Sequence, residues 1–156
     1  MVRARYGSKE ALLESIFGSE LDKRLLPASD GDLQGLPWVL ARVDHVTSLL
    51  ENERELMRAF CVMSLEAGIG ITSLRTWYAR WFAGYEAQIA AHLRAGQADG
   101  TVTGAIDPDE EAAQFLLTGL GLIFRWTLGP DTYDLAAAFR VWRTRLERAY
   151  SARAVI

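Results

Sequence analysis

The chain has 156 residues, half of them apolar and 24% charged, with a net charge of −3 and a pI near 5.4. That size suits one domain with its own core, and the apolar share excludes a disordered chain. The acidic balance argues against a chain that binds nucleic acid through overall charge, since Lys and Arg contacts to phosphate supply most of that affinity.

A single cysteine, Cys61, excludes an internal disulfide and fits a reducing cytoplasm. No basic-then-apolar leader opens the sequence. The longest apolar stretch, residues 112–124, is broken by Gln114, Thr118 and two glycines and falls short of the roughly 18 residues a membrane span needs. A cytoplasmic protein with no membrane partner is expected.

The periodicity is helical throughout, with no alternating runs closed by hairpin turns. Ser8 is placed to cap a first helix that runs to about Leu26 and carries Leu12, Leu13, Ile16 and Phe17 on one side. Pro27 to Gly35 reads as a loop. Pro37, in a first turn, opens a second helix to about Glu51. A third helix follows from about Asn52 to Ala67, with acids at its positive end and Leu56, Phe60, Met63 and Ala67 on one face; Gly68-Ile69-Gly70 ends it.

The fourth helix, about Thr72 to Ala95, is the most one-sided. Leu74, Trp77, Tyr78, Trp81, Phe82, Tyr85, Ile89 and His92 share an arc of roughly 140°, and Gly96 and Gly100 are read as its breakers. Asp107-Pro108-Asp109-Glu110 is a strong start signal for a fifth helix to about Leu128, which is apolar nearly all round and must be covered on both sides. After Gly129-Pro130-Asp131, a last helix over about 132–150 carries Leu135, Phe139, Trp142, Leu146 and Ala149 on one seam. The expected fold is an all-α bundle of about six helices.

Three segments resemble the TetR family of transcriptional regulators. Arg5-Tyr6-Gly7-Ser8-Lys9-Glu10-Ala11-Leu12-Leu13 is similar to the family's hinge between the DNA-reading helix and the effector domain. Gly96-Gln97-Ala98-Asp99-Gly100, followed by Asp107-Pro108, resembles the passage into the penultimate helix. The last two helices are similar to the pair that forms a four-helix dimer interface. The resemblance implies a TetR-type C-terminal, ligand-binding domain over residues 8–156, with residues 1–7 as the remnant of a DNA-binding head whose helix-turn-helix is largely missing. It further implies a homodimer through the last two helices, a small apolar or aromatic effector, no cofactor, and DNA as a partner only where the head is present.

Effector pockets in that family lie among the middle helices. The second helix places Trp38, Arg42 and His45 on a narrow arc beside the apolar Val39, Val43, Val46 and Leu50, a pattern that suits the polar end of an apolar pocket. Phe60 and Met63 are the candidates from the third helix, and Trp77, Tyr78, Trp81 and Tyr85 those from the aromatic arc of the fourth. Phe115 and Gly119 are the candidates from the fifth. The plainer reading is that Arg42 and His45 sit at the surface or pair with an acid, and that the aromatics only fill the core. For the dimer interface the candidates are Phe115, Thr118, Leu122 and Trp126, with Leu135, Phe139, Trp142 and Leu146 from the last helix. Glycine costs about 1 kcal/mol in a helix interior, so Gly119 and Gly121 point to a close helix approach; the alternative is a wholly intramolecular core.

Enzyme signatures are thin. Gly68-Ile69-Gly70 follows a helix rather than a strand and lacks a third glycine. Asp44 and His45 point about 100° apart on a helix, and His45, His92 and Cys61 show no metal-ligand spacing. No catalytic residue and no metal ligand is assigned. A structural or protein-interaction bundle without a ligand is the competing reading. An interior cavity of about 300 Å³ or more would favour the sensor, and a solid interior the bundle.

Overall fold

The computed structural model describes residues 23–25, 32–70 and 72–152. The hinge and all but residues 23–25 of the expected first helix lie outside them; those three residues are helical. Five helices follow: α1 (Gly35–Asn52), α2 (Arg54–Ile69), α3 (Thr72–Asp99), α4 (Pro108–Thr127) and α5 (Leu135–Tyr150). Among the described residues there is no strand, and the fold is an all-α bundle.

Each helix starts and stops for a local reason. α1 begins at Gly35, in the left-handed region at φ +61°, with Pro37 inside the first turn where its missing N–H is not needed. α1 and α2 meet at Glu53, whose N–H donates to the Leu49 carbonyl at 2.7 Å. Gly68 does not end α2, which continues to Ile69, and the Gly70 N–H closes on the Glu66 carbonyl.

The expected end of α3 at Ala95 is corrected by four residues. Gly96 is a packing residue, since a Cβ there would lie 2.4 Å from the Val102 side chain, while a Cβ on Gly35 would lie 3.0 Å from the Gly96 Cα. The start of α1 therefore presses on the last turn of α3, backbone against backbone. The break comes at Gly100, φ +79°, beyond which the Thr101 N–H reaches back to the Gly96 carbonyl at 2.8 Å.

The Asp107 carboxylate caps α4, accepting from the Asp109 and Glu110 N–H groups at 2.9 and 3.2 Å. α5 starts at Leu135 rather than near 132, because Asp134 is its cap and accepts from the Ala137 N–H. Thr132 and Tyr133 belong instead to a turn, with both N–H groups on the Gly129 carbonyl.

α3 packs against α1, α2 and α4, and α1 also packs along α5. Every helix contributes to one continuous core, including Val39 and Val43, Met57 and Phe60, Leu74, Ile89 and Leu93, Phe115 and Ile123, and Phe139 and Leu146. The Arg143 Nε–H donates to Asp44 at 2.7 Å, a half-exposed tie between α5 and α1. No single helix among the described residues is long and apolar enough to cross a membrane.

Candidate ligand cavity

Where the five helices converge, the core leaves a cavity of about 50 Å³. α1 gives it Arg42, Val43 and Val46, α2 gives Met57 and Phe60, and α3 gives Trp81 and Tyr85. Phe115, Leu116, Gly119, Leu120 and Ile123 come from α4, Phe139 and Trp142 from α5, and Leu25 from the helical residues ahead of α1.

The walls are a chain of aromatic contacts. Phe60 meets Trp81 edge-on at 5.2 Å, Trp81 stacks on Tyr85 at 5.3 Å, and Phe115 leans on Trp142 at 4.7 Å. Phe139 completes the series, edge to the Trp142 ring at 5.4 Å. Such pairs add about 0.5–1.5 kcal/mol each beyond the area they bury, so these walls are well fixed.

Three of the lining residues carry polar groups: Arg42, Trp81 and Tyr85. Arg42 is 3% exposed and is the one charged residue among the described residues that line the cavity. Its guanidinium lies 4.9 Å from the centre of the Trp38 ring, a cation–π contact that offsets part of the cost of burying charge. The second is the Trp81 indole N–H, shielded from solvent and without a hydrogen-bond partner among the described residues.

Six of the eleven predicted ligand residues meet at the cavity: Arg42, Phe60, Trp81, Tyr85, Phe115 and Gly119. The other five are placed elsewhere. Trp38 is turned onto His92, and the His45 ring nitrogen faces the Arg24 carbonyl. The Tyr78 hydroxyl donates to the Phe60 carbonyl at 3.1 Å, Trp77 lies edge-on to Tyr78, and Met63 is half-buried against the core. Arg42 is buried, which corrects the plainer reading of it as a surface residue. Val43 and Val46 are visible in the sequence as the adjoining apolar arc. Sequence reasoning misses Phe139 and Trp142 as lining residues, because an apolar seam on a terminal helix fits an intermolecular contact equally well.

The predicted dimer set divides in the same way. Phe115, Trp126, Leu135, Phe139, Trp142 and Leu146 are buried within the single chain; Leu122 is half-buried and Thr118 exposed. Gly119 faces its own Trp142 at 3.4 Å, while the space over Gly121 is open. The apolar side chains that α4 and its C-cap residue present outward are Leu117, Phe124 and Leu128, at 59%, 43% and 69% exposure, in line with Gly121 at steps of four, three and four. Val141 of α5 is 54% exposed.

The remaining chemistry is quiet. Burial pushes the Cys61 thiol up, away from the thiolate a nucleophile needs. Burial likewise raises the Tyr78 and Tyr150 hydroxyls, the latter also through its 2.8 Å bond to the Glu111 carboxylate. Among the described residues no three His, Cys, Asp or Glu side chains gather as metal ligands. A larger cleft of about 500 Å³ opens between the α1–α2 joint and the α4–α5 turn, and it is bordered by the charged Glu51, Arg54, Asp131 and Asp134. No family model matches the chain, and no curated protein or solved structure matches it.

Proposed function

We propose that this chain is the ligand-sensing and dimerisation portion of a TetR-like transcriptional regulator, and that it binds a small, largely apolar effector. In a full-length form such binding controls DNA affinity by favouring one of two conformations, to the extent that the ligand binds them unequally. The observation that carries this reading is the cavity at the convergence of the helices, lined by apolar residues with Arg42, Trp81 and Tyr85 as the lining residues that carry polar groups. Few polar groups in a mostly apolar pocket is the usual composition of a small-molecule site. The outward stripe of Leu117, Gly121, Phe124 and Leu128 supports pairing with a second copy through α4.

One dimension of the cavity favours the competing reading, a structural or interaction bundle. The cavity, at about 50 Å³, is well below the roughly 300 Å³ of a typical ligand site, so a drug-sized effector must push the walls apart. Thermal unfolding against a panel of small apolar and aromatic compounds separates the two. A ligand at about 100 times its Kd stabilises by about 2.7 kcal/mol, a rise of about 5–10 °C for a chain this size. The sensor reading expects such a shift, and expects Gly119→Val, which fills the cavity, to remove it. Silence across the panel favours the bundle.

A further inference from the structure

The surface turned to the central cavity is apolar almost throughout, although three of its lining residues carry polar groups. The seating of those side chains explains this. The Arg42 guanidinium lies over Trp38, which is not a lining residue, so Arg42 meets the cavity with its hydrocarbon stem. The Arg42 Nε and the Trp81 indole nitrogen have almost no accessible surface, and an atom facing a space that admits water would have some. Trp81 therefore presents ring carbon to the cavity, as it does to Tyr85 in their stack. The Tyr85 hydroxyl, able to donate and to accept, is the remaining side-chain polar group of the lining.

Size is the second constraint. A water-sized group needs about 10–15 Å³ of such space, so a cavity of about 50 Å³ holds roughly three to five heavy atoms. That is about a third of the roughly 150 Å³ apolar cavity known to hold benzene.

Resting on the ligand-sensing reading, we propose that the cavity takes a compact neutral molecule with no hydrogen-bonding group: a short alkane, alkene or halocarbon of roughly three to five heavy atoms. Such an occupant gains dispersion contacts with Met57, Phe60, Leu116, Ile123 and Phe139 and needs no polar partner. Water finds too few polar partners on this surface, so no tightly held water has to be displaced. An alcohol of equal size loses hydrogen bonds to water that the walls do not replace, and an ion loses more.

The test uses the intact protein and five dissolved probes: propane, ethanol, ethylammonium, acetate and benzene. The chain has three methionines, so a carbon–proton spectrum of methionine methyl groups holds three signals. Met57→Leu identifies the one from Met57, which lines the cavity; Met63 does not line it and is the internal reference. Propane is expected to move the Met57 signal in a saturable way and to leave Met63 still, binding at least about tenfold tighter than ethanol. Ethylammonium and acetate are expected to be silent. Benzene is expected to bind more weakly than propane, because the walls must yield to the ring. Gly119→Val, which fills the space, is expected to abolish the propane shift.

Ethanol binding as tightly as propane means that a polar group, the Tyr85 hydroxyl foremost, reaches the occupant. That outcome, acetate or ethylammonium binding, or benzene binding more tightly than propane overturns the proposal and leaves the ligand-sensing reading standing. Silence of propane also overturns it, and the thermal panel of larger apolar and aromatic compounds then decides the sensor reading separately. Because the probe series is run on the native chain, the result does not depend on Gly119→Val folding.

Discussion

The Trp38 indole lies flat on the His92 imidazole, with ring centres 3.8 Å apart and planes within 6°. α1 and α3 are joined there by a ring pair, and Arg42 sits over the same indole. Trp38 therefore braces the charged group of the cavity lining from outside that lining. The pair is expected to couple by about 0.5–1.5 kcal/mol. A double-mutant cycle with Trp38→Leu and His92→Ala, followed by urea unfolding, measures it; additive losses in the two single variants overturn it.

Two glycines of α3 are expected to respond to alanine in opposite directions. A methyl added at Gly84 would have nothing within 4 Å, so Gly84→Ala gains helix propensity and stabilises by up to about 1 kcal/mol. Gly96→Ala drives a methyl into Val102 and costs about 1–3 kcal/mol. Denaturant midpoints of the two variants against the parent decide the signs.

Alkaline pH is expected to weaken the fold. Tyr78 and Tyr150 have hydroxyls raised above the ordinary value of 10.0, by burial first and for Tyr150 also by Glu111. The unfolded chain thus loses these protons at lower pH than the native one. Stability is fully present below about pH 10 and declines as pH rises past it, since the native state then holds more protons. Urea midpoints between pH 8 and 11 should show the decline. Tyr78→Phe and Tyr150→Phe should each flatten it.

Charge placed on the outward stripe of α4 should change assembly and not folding. Leu117→Glu with Phe124→Glu is expected to leave the circular dichroism intact, because both side chains already face solvent in the single chain. Sedimentation equilibrium should show a dimer for the parent and a monomer for the double variant. A monomeric parent at tens of micromolar removes the dimerisation half of the proposed function.

Helix identity is legible in the sequence because it rests on local signals: Asp107-Pro108 starts α4 and a left-handed glycine stops α3. Arg42 is legible as a cavity-lining residue because it shares an arc with Trp38 and His45 beside the apolar Val39, Val43, Val46 and Leu50. Which helix covers a given arc is not legible. Trp38 and Arg42 share a face, yet His92 takes one and the cavity the other. The α5 seam of Leu135, Phe139, Trp142 and Leu146 has the same spacing whether it meets its own chain or a second one, and α4, apolar all round, has a stripe for each. Gly96 reads as a helix breaker because its steric partner, Val102, becomes adjacent only after the chain has turned.

That turn has a consequence for how the molecule opens. Val102 forms an antiparallel bridge with Ser151, the Thr103 N–H bonds to the Tyr150 carbonyl at 2.8 Å, and the Ala152 N–H bonds to the Thr101 carbonyl at 3.2 Å. The end of α5 is thus clasped to the link between α3 and α4, and α4 is enclosed between its two fastened ends. Fraying of α5 cannot proceed from its C-terminus one turn at a time without releasing that link. The amide hydrogens of Thr103 and Ala152 should therefore exchange together, as one cooperative unit, and the last third of the chain should open as a closed loop rather than a loose tail.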